Sequence, residues 1–198
     1  MKLYTEPVTT PLRGELTPPG DKSISHRALI FGCLASGETR VDGLLQSEDV
    51  RATAAACRQL GMEDRMEGET LVITGVGERG LKAPEGELDM GNSGTAIRLL
   101  SGVLAAQPFD SVLTGDESLS QRPMKRIVRP LQLMGARIDT EEGGTPPLRI
   151  HGNPELAGIA YDSPVASAQV KSCVLLAGLY AKGRTSVSEP LKSRDHTE

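Results

Sequence analysis

The sequence predicts an α/β protein assembled from repeated βαβαββ units, and three observations lead there. Helix-like apolar stretches alternate with short β-like runs along the whole chain. The alternation recurs three times at a spacing of about 70 to 76 residues, marked by Ala35, Ala105 and Ala181. Each of the first two copies then closes on a pair of short strand candidates around a turn.

Taken in order, residues 1–20 (MKLYTEPVTTPLRGELTPPG) are Pro-rich and extended, a strand segment expected to precede the first unit and to belong with a second domain. The first unit, residues 21–85, runs SISHRALIFGCLASG, TRVDGL and SEDVRATAAACRQLG, then the hairpin candidate MEDRMEGETLVITG. The second, residues 86–155, runs NSGTAIRLLSGVLAA, FDSVLTGDESL and SQRPMKRIVRPLQLMG, then ARIDTEEGGTPPLRIHG. The third, residues 156–198, offers SAQVKSCVLLAGLYAKG, RTSVSEPL and SRDHTE, and is expected to be incomplete because it stops in the opening residues of its second helix. Apolar residues at helical spacing, Ile24, Ala28, Leu29 and Leu34 in one first helix and Ile97, Leu100, Val103 and Leu104 in the next, mark the buried faces. Gly37 and Gly183 stand where the C-terminal glycine of a helix is expected.

A chain of 198 residues with 38% hydrophobic content has enough apolar surface for a folded core, made from aliphatic side chains because only two Phe, three Tyr and no Trp are present. The same scarcity of aromatics, with a net charge of -4, argues against a nucleic-acid partner or an anionic membrane surface. The N-terminus lacks the apolar run of a signal peptide, and the longest apolar stretch, CVLLAGLYA, is far below the roughly 20 residues that span a bilayer, so a cytoplasmic location is expected. Cys33, Cys57 and Cys173 lie in apolar helical segments without metal spacing and read as buried thiols. His26, His151 and His196 are far apart, and neither a metal nor another cofactor is expected.

Candidate chemistry gathers at helix N-termini, where unpaired backbone N–H groups and the helix dipole favour anions. In the first unit Lys22 and Ser23 stand at such a mouth, with Arg27 one turn on. This is not a nucleotide-binding P-loop, since Asp21 rather than Gly precedes the lysine. In the second, Asn92 and Ser93 lie between Gly91 and Gly94, with Arg98 one turn later and Arg122 beside Pro123 at the next helix. The third offers Ser167, Ala168 and Gln169, then Arg194. A capped helix with solvated charges accounts for any one of these sites, but its recurrence at equivalent points in three copies favours anion binding.

Five linked stretches, GDKSISHRALIFG, GNSGTAIRLLSG, LTGDESLSQRPM, SAQVKSCVLLAGL and SRDHTE, together resemble the 5-enolpyruvylshikimate-3-phosphate synthases. These shikimate-pathway enzymes of aromatic amino acid biosynthesis move an enolpyruvyl group from phosphoenolpyruvate to shikimate 3-phosphate. The resemblance covers nearly all of this chain but about the first half of the family's usual length. It implies the two-domain enolpyruvyl transferase fold, three βαβαββ units to a domain, with residues 21–198 supplying one domain and the third unit truncated. It also implies the other half of the enzyme as a partner.

By motif match, the resemblance sets Lys22, Ser23, Arg27, Ser167, Ala168, Gln169 and Arg194 around shikimate 3-phosphate. It sets Lys22, Asn92, Gly94, Arg122 and Gln169 around phosphoenolpyruvate. The acid–base groups are implied to sit in the other domain, so the alternative to an enzyme in its own right is a non-catalytic half that needs its complement. Ala168 together with Arg194 resembles the branch associated with glyphosate tolerance, whereas Gly94 resembles sensitive members; the two point in opposite directions. The related UDP-N-acetylglucosamine enolpyruvyl transferases fit less well, because Ser23 rather than Asn follows Lys22 and TGDESLSQRPM contains no cysteine for their thiol chemistry.

Overall fold

The computed structural model describes residues 3–193 except positions 8 and 12. Its elements follow in the order α1 (Lys22–Leu34), β1 (Ser36–Val41), α2 (Glu48–Gln59), β2 (Glu63–Glu67), β3 (Thr70–Val76), β4 (Leu88–Asp89), α3 (Gly94–Ala105), β5 (Ser111–Thr114), α4 (Glu117–Ser120), α5 (Lys125–Leu133), β6 (Arg137–Asp139), β7 (Leu148–His151), β8 (Ala160–Asp162), α6 (Ala168–Gly178) and β9 (Ser186–Ser188). The α/β class and the repeat are both present. The second unit is complete as βαβαββ, its second helix broken into α4 and α5 around Pro123. The first lacks an opening strand among the described residues, and the third is described through β9.

The sheets repeat with the chain. The first has the order β1-β3-β2, antiparallel, with Thr39 opposite Ile73 and Arg65 opposite Val72. The second has the order β4-β5-β7-β6, in which β4 and β5 run parallel and the others antiparallel. β8 and β9 form a parallel pair. Parallel neighbours need a crossover, and α3 and α6 provide it.

α3 is the centre of the molecule. Ten of its twelve residues are buried, with Ile97, Leu99, Leu100, Val103 and Leu104 at 1% exposure or less. A helix apolar on every side must be enclosed, and α3 packs against α6, α1, α2 and α5. Each of those aliphatic side chains is worth roughly 1.5–3 kcal/mol of burial. Cys33, Cys57 and Cys173 are buried in this core as free thiols, as their apolar surroundings predict.

The structure revises three local expectations. Ile24 is 60% exposed, because α1 turns the face carrying Ser25, His26, Leu29, Ile30 and Cys33 inward, one residue out of phase with the apolar pattern. Gly37 lies inside β1, after an extended C-cap at Ala35, and Gly183 lies well beyond α6, whose C-cap is Leu179. The helix-ending glycines are Gly61 and Gly135, at φ of 108° and 98°. After α2 the N–H of Met62 reaches Cys57 O and that of Gly61 reaches Arg58 O; after α5 Ala136 reaches Leu131 O and Gly135 reaches Gln132 O. The same two-bond closure at equivalent points reproduces the repeat at the level of single hydrogen bonds.

Candidate functional site

The three first helices are capped alike. Asp21, Ser93 and Ser167 each accept, through the side chain, the N–H of the third residue of α1, α3 and α6 respectively. Polar side chains then tie the three helices to each other. Arg27 is buried and donates from Nη2 to Ser172 Oγ on α6 at 2.5 Å, and from Nη1 to Ser23 O at 3.2 Å. Gln169, in the first turn of α6, accepts from Arg98 Nη1 at 2.8 Å and donates from Nε2 to Thr95 Oγ1 at 2.9 Å. Sequence reasoning marks Arg27 as an anion-binding donor one turn from Ser23; the fold also makes it a bridge between units one and three.

The remaining cations sit at the rim. Lys22, half-exposed, forms an ion pair with Asp49 at the start of α2. Arg122 donates to both Asn92 O and Asn92 Oδ1 and to Ser118 Oγ, while Asn92 Nδ2 donates to Asp116 Oδ2 at 2.7 Å. Backbone and side-chain N–H groups, led by that of Leu119, hold the Asp116 carboxyl below its usual range. At the mouth of α6 the N–H of Ser167 donates to Glu189 Oε1 at 2.8 Å, and Lys171 Nζ lies 3.3 Å from Glu189 Oε2. The Ser193 hydroxyl, the Ser167 N–H and Lys171 hold Glu189 low.

Gly94 opens α3 beneath two guanidiniums: a Cβ there would lie 2.9 Å from Arg98 Nη1 and 3.1 Å from Arg122 Nη1. Burial, with the charges of Arg122 and Arg126 added, lowers the pKa of Arg98, whose hydrogen bonds go to the neutral oxygens Gly94 O and Gln169 Oε1. Arg98 is thus a half-buried cation whose hydrogen-bond partners are neutral.

Of the residues named from the sequence, Lys22, Ser23 and Arg27 lie on α1, Asn92, Gly94 and Arg122 cluster at the start of α3, and Ser167, Ala168 and Gln169 open α6. Gln169 and Arg98 join the second and third groups, and Arg27 joins the first to the third. Arg194 and His196 lie outside the described residues. Ser172, Thr95, Asp49, Asp116 and Glu189 escaped sequence reasoning, because their partners lie on other helices or in loops that only the fold brings near. A cavity of about 530 Å³ between α5 and β8 lies beside this cluster rather than in it.

The EPSP synthase model, described as 3-phosphoshikimate 1-carboxyvinyltransferase, matches residues 7–198. The chain belongs to the EPSP synthase family. It is 60% identical over 190 residues to the 3-phosphoshikimate 1-carboxyvinyltransferase of Xanthomonas campestris pv. campestris, covering 96% of this chain and 43% of the relative. Identity to the protein of the same name from Coxiella burnetii is 59% over 189 residues, with 94% and 43% covered. The EPSP synthase structure from Acinetobacter baumannii superposes with a TM-score of 0.89 at 58% identity, covering 92% of this chain and 42% of that one. The chain thus spans less than half the length of these relatives. The likeness fixes the enolpyruvyl transferase fold for the described units. Among the described residues no helix is long and apolar enough to cross a membrane.

Proposed function

We propose that this chain is the half of a 3-phosphoshikimate 1-carboxyvinyltransferase that grips shikimate 3-phosphate and one side of phosphoenolpyruvate. The observation that carries this reading is the convergence of the N-termini of α1, α3 and α6, with Lys22, Arg27, Arg98 and Arg122 among them and Gln169 linking two of the helices. Ser23 and Arg27 take the shikimate ring and its carboxylate and Ser167 its phosphate, with Ala168 and Gln169 between; Arg194, outside the described residues, is assigned to the phosphate by motif match alone. Asn92, Gly94 and Arg122 take phosphoenolpyruvate, and Lys22 and Gln169 stand between the two substrates.

The chemistry explains the inventory. Two anions must approach until a ring hydroxyl meets the enolpyruvyl carbon, and cations held in advance by neutral partners remove their repulsion without reorganising. Proton transfer at that carbon belongs to groups of the complementary half. Turnover therefore needs both halves, acting on small-molecule substrates in the cytoplasm.

The domain reading goes with it: three units at 21–85, 86–155 and from 156 on, with residues 1–20 contributing to the other domain. In the first two units the second helices α2 and α5 pack against the first helices α1 and α3. The groove between α1 and α6, lined by Phe31, Leu175 and Leu179, is where pseudo-symmetry sets the second helix of the third unit.

The test is calorimetric titration of shikimate 3-phosphate, with shikimate as control, into chain shown to be folded by circular dichroism. Phosphate-dependent binding that Arg27→Ala weakens by about tenfold or more supports the reading, that being the worth of one charge-assisted hydrogen bond. A folded chain that binds neither, alone or mixed with the complementary half, overturns it.

A further inference from the structure

Beside the cluster just described, α5 and β8 enclose a cavity of about 530 Å³, within the range that holds small organic ligands. Its rim carries Lys125, Arg126 and Arg129 from α5. Its floor and far wall are apolar: Val170 is buried, Val165 and Tyr161 are half-buried, and Leu133 is displayed at 61% exposure.

Among the described residues the three cations have no neutralising partner. None of them makes an ion pair or a side-chain hydrogen bond within the described residues. The one carboxylate in the lining, Asp162, accepts a hydrogen bond from Ser188 Oγ. They also stand where they cost stability. Lys125 and Arg129 are four residues apart on one helix face, where like charges repel. Lys125 and Arg126 occupy the first turn of α5 against its dipole, with no acidic residue in that turn and no side-chain cap at Met124. The Lys125 stem runs beside Gly144, where a Cβ would come within 2.6 Å of its Cε, so the backbone loop leaves room for the lysine at the rim.

An apolar floor beneath a concentrated positive rim selects one chemistry. We infer that the α5/β8 cavity binds a small organic anion with an apolar body, an aryl or alkyl phosphate or carboxylate, through Arg126 and Arg129 at its head and Leu133, Val165 and Val170 along its body. The site is separate from the substrate cluster. Its residues include none of those assigned to either substrate, and it stands whether or not that assignment does.

Phenyl phosphate, inorganic phosphate and phenol serve as probes in calorimetric titrations of the chain. Phenyl phosphate should bind at least about tenfold more tightly than either fragment, because only it uses both head and body contacts. Arg126→Gln and Arg129→Gln should each weaken it about tenfold, Val165→Asp should weaken it by as much, and Arg122→Ala should leave it unchanged. Circular dichroism verifies that each variant is folded; positions 126 and 129 are exposed, so those two variants decide the result if Val165→Asp unfolds. Equal affinity for phosphate and phenyl phosphate, indifference to Arg126→Gln and Arg129→Gln, or loss of binding in Arg122→Ala alone would each overturn the inference, the last by moving the probe to the substrate cluster.

Discussion

His26 offers the sharpest test of how the charged helix mouths are built. Its Nδ1 lies 2.7 Å from Thr53 Oγ1, and the Thr53 hydroxyl itself donates to Asp49 O at 3.4 Å. Nδ1 is thus partnered in either neutral tautomer, whereas the imidazolium must carry a hydrogen on both ring nitrogens. That Nε2 is buried without a partner. Protonation would create a dry N–H with nothing to receive it, close to the charges of Lys22 and Arg27 and only partly offset by Asp49. Burial first, and Lys22 second, lower its pKa from 6.5 to about 4.

The sign follows from proton counting. Between pH 6.5 and 4 the unfolded chain binds the proton and the folded chain does not, so stability is full above about 6.5 and falls as pH drops toward 4. At 1.36 kcal/mol per unit, the loss approaches about 3 kcal/mol at pH 4. Urea denaturation of the wild type and of His26→Asn, compared at pH 7.5, 6, 5 and 4, isolates this group from the carboxylates that titrate in both. The stability difference between the two proteins should shift toward the variant by about 3 kcal/mol on acidification. A shift under about 1 kcal/mol would refute the argument, and would mean that Nε2 finds water or an acceptor when it is charged.

Three further outcomes follow from the packing. Gly102→Ala would set a Cβ 2.2 Å from the Cys173 carbonyl oxygen, where α3 and α6 cross, so it should cost more than about 2 kcal/mol by urea titration; a cost below 1 would show that the helices can part. Burial pushes the Cys173 thiol up to about 12, so at pH 8 iodoacetamide should modify it at least a hundredfold more slowly in the folded chain than in urea, read by mass spectrometry. Gln169→Ala removes an oriented amide between Arg98 and Thr95, and should lower shikimate 3-phosphate affinity about tenfold while changing the urea midpoint little.

The repeat, the α/β class and the helix mouths are legible because each is written locally, in spacing and in the polar residues at the N-caps, whereas the helix-ending glycines are Gly61 and Gly135 and not the expected Gly37 and Gly183. What was not legible is set by rotation and by distance along the chain. The inward face of α1 includes Ser25 and His26, polar residues that no apolar pattern selects, and so Ile24 was assigned to the wrong side. Arg27 meets Ser172 across 145 residues, and Arg98 meets Gln169 across 71. Neither pairing leaves a trace in either local segment. The sequence sets Pro123 near the first turn of one helix, whereas it separates α4 from α5, and Arg122 turns back on Asn92.

The repeat also distributes negative charge in a way that explains where an anion is wanted. Asp49, Asp116 and Glu189 all fall between the second strand of a unit and its second helix, or at that helix's first turn, and each meets the rim of a first-helix mouth: Lys22, Asn92 and the Ser167–Lys171 pair respectively. These carboxylates orient the rim groups without reaching the centre. Arg98, half-way down and flanked by Arg122, hydrogen-bonds only neutral oxygens, and so keeps its full charge uncompensated. Half-burying such a cation costs stability that a bound anion would restore, by RT ln(1 + [L]/Kd). Phosphoenolpyruvate should therefore raise the unfolding temperature more than chloride does at matched ionic strength, and Arg98→Gln, which keeps a hydrogen-bonding group but removes the charge, should abolish most of that difference while leaving the unliganded variant as stable as the wild type or more so. If Arg98→Gln instead lowers the unliganded stability by 2 kcal/mol or more and retains the phosphoenolpyruvate effect, the guanidinium is a structural bridge between α3 and α6, and the anion is held by the rim alone.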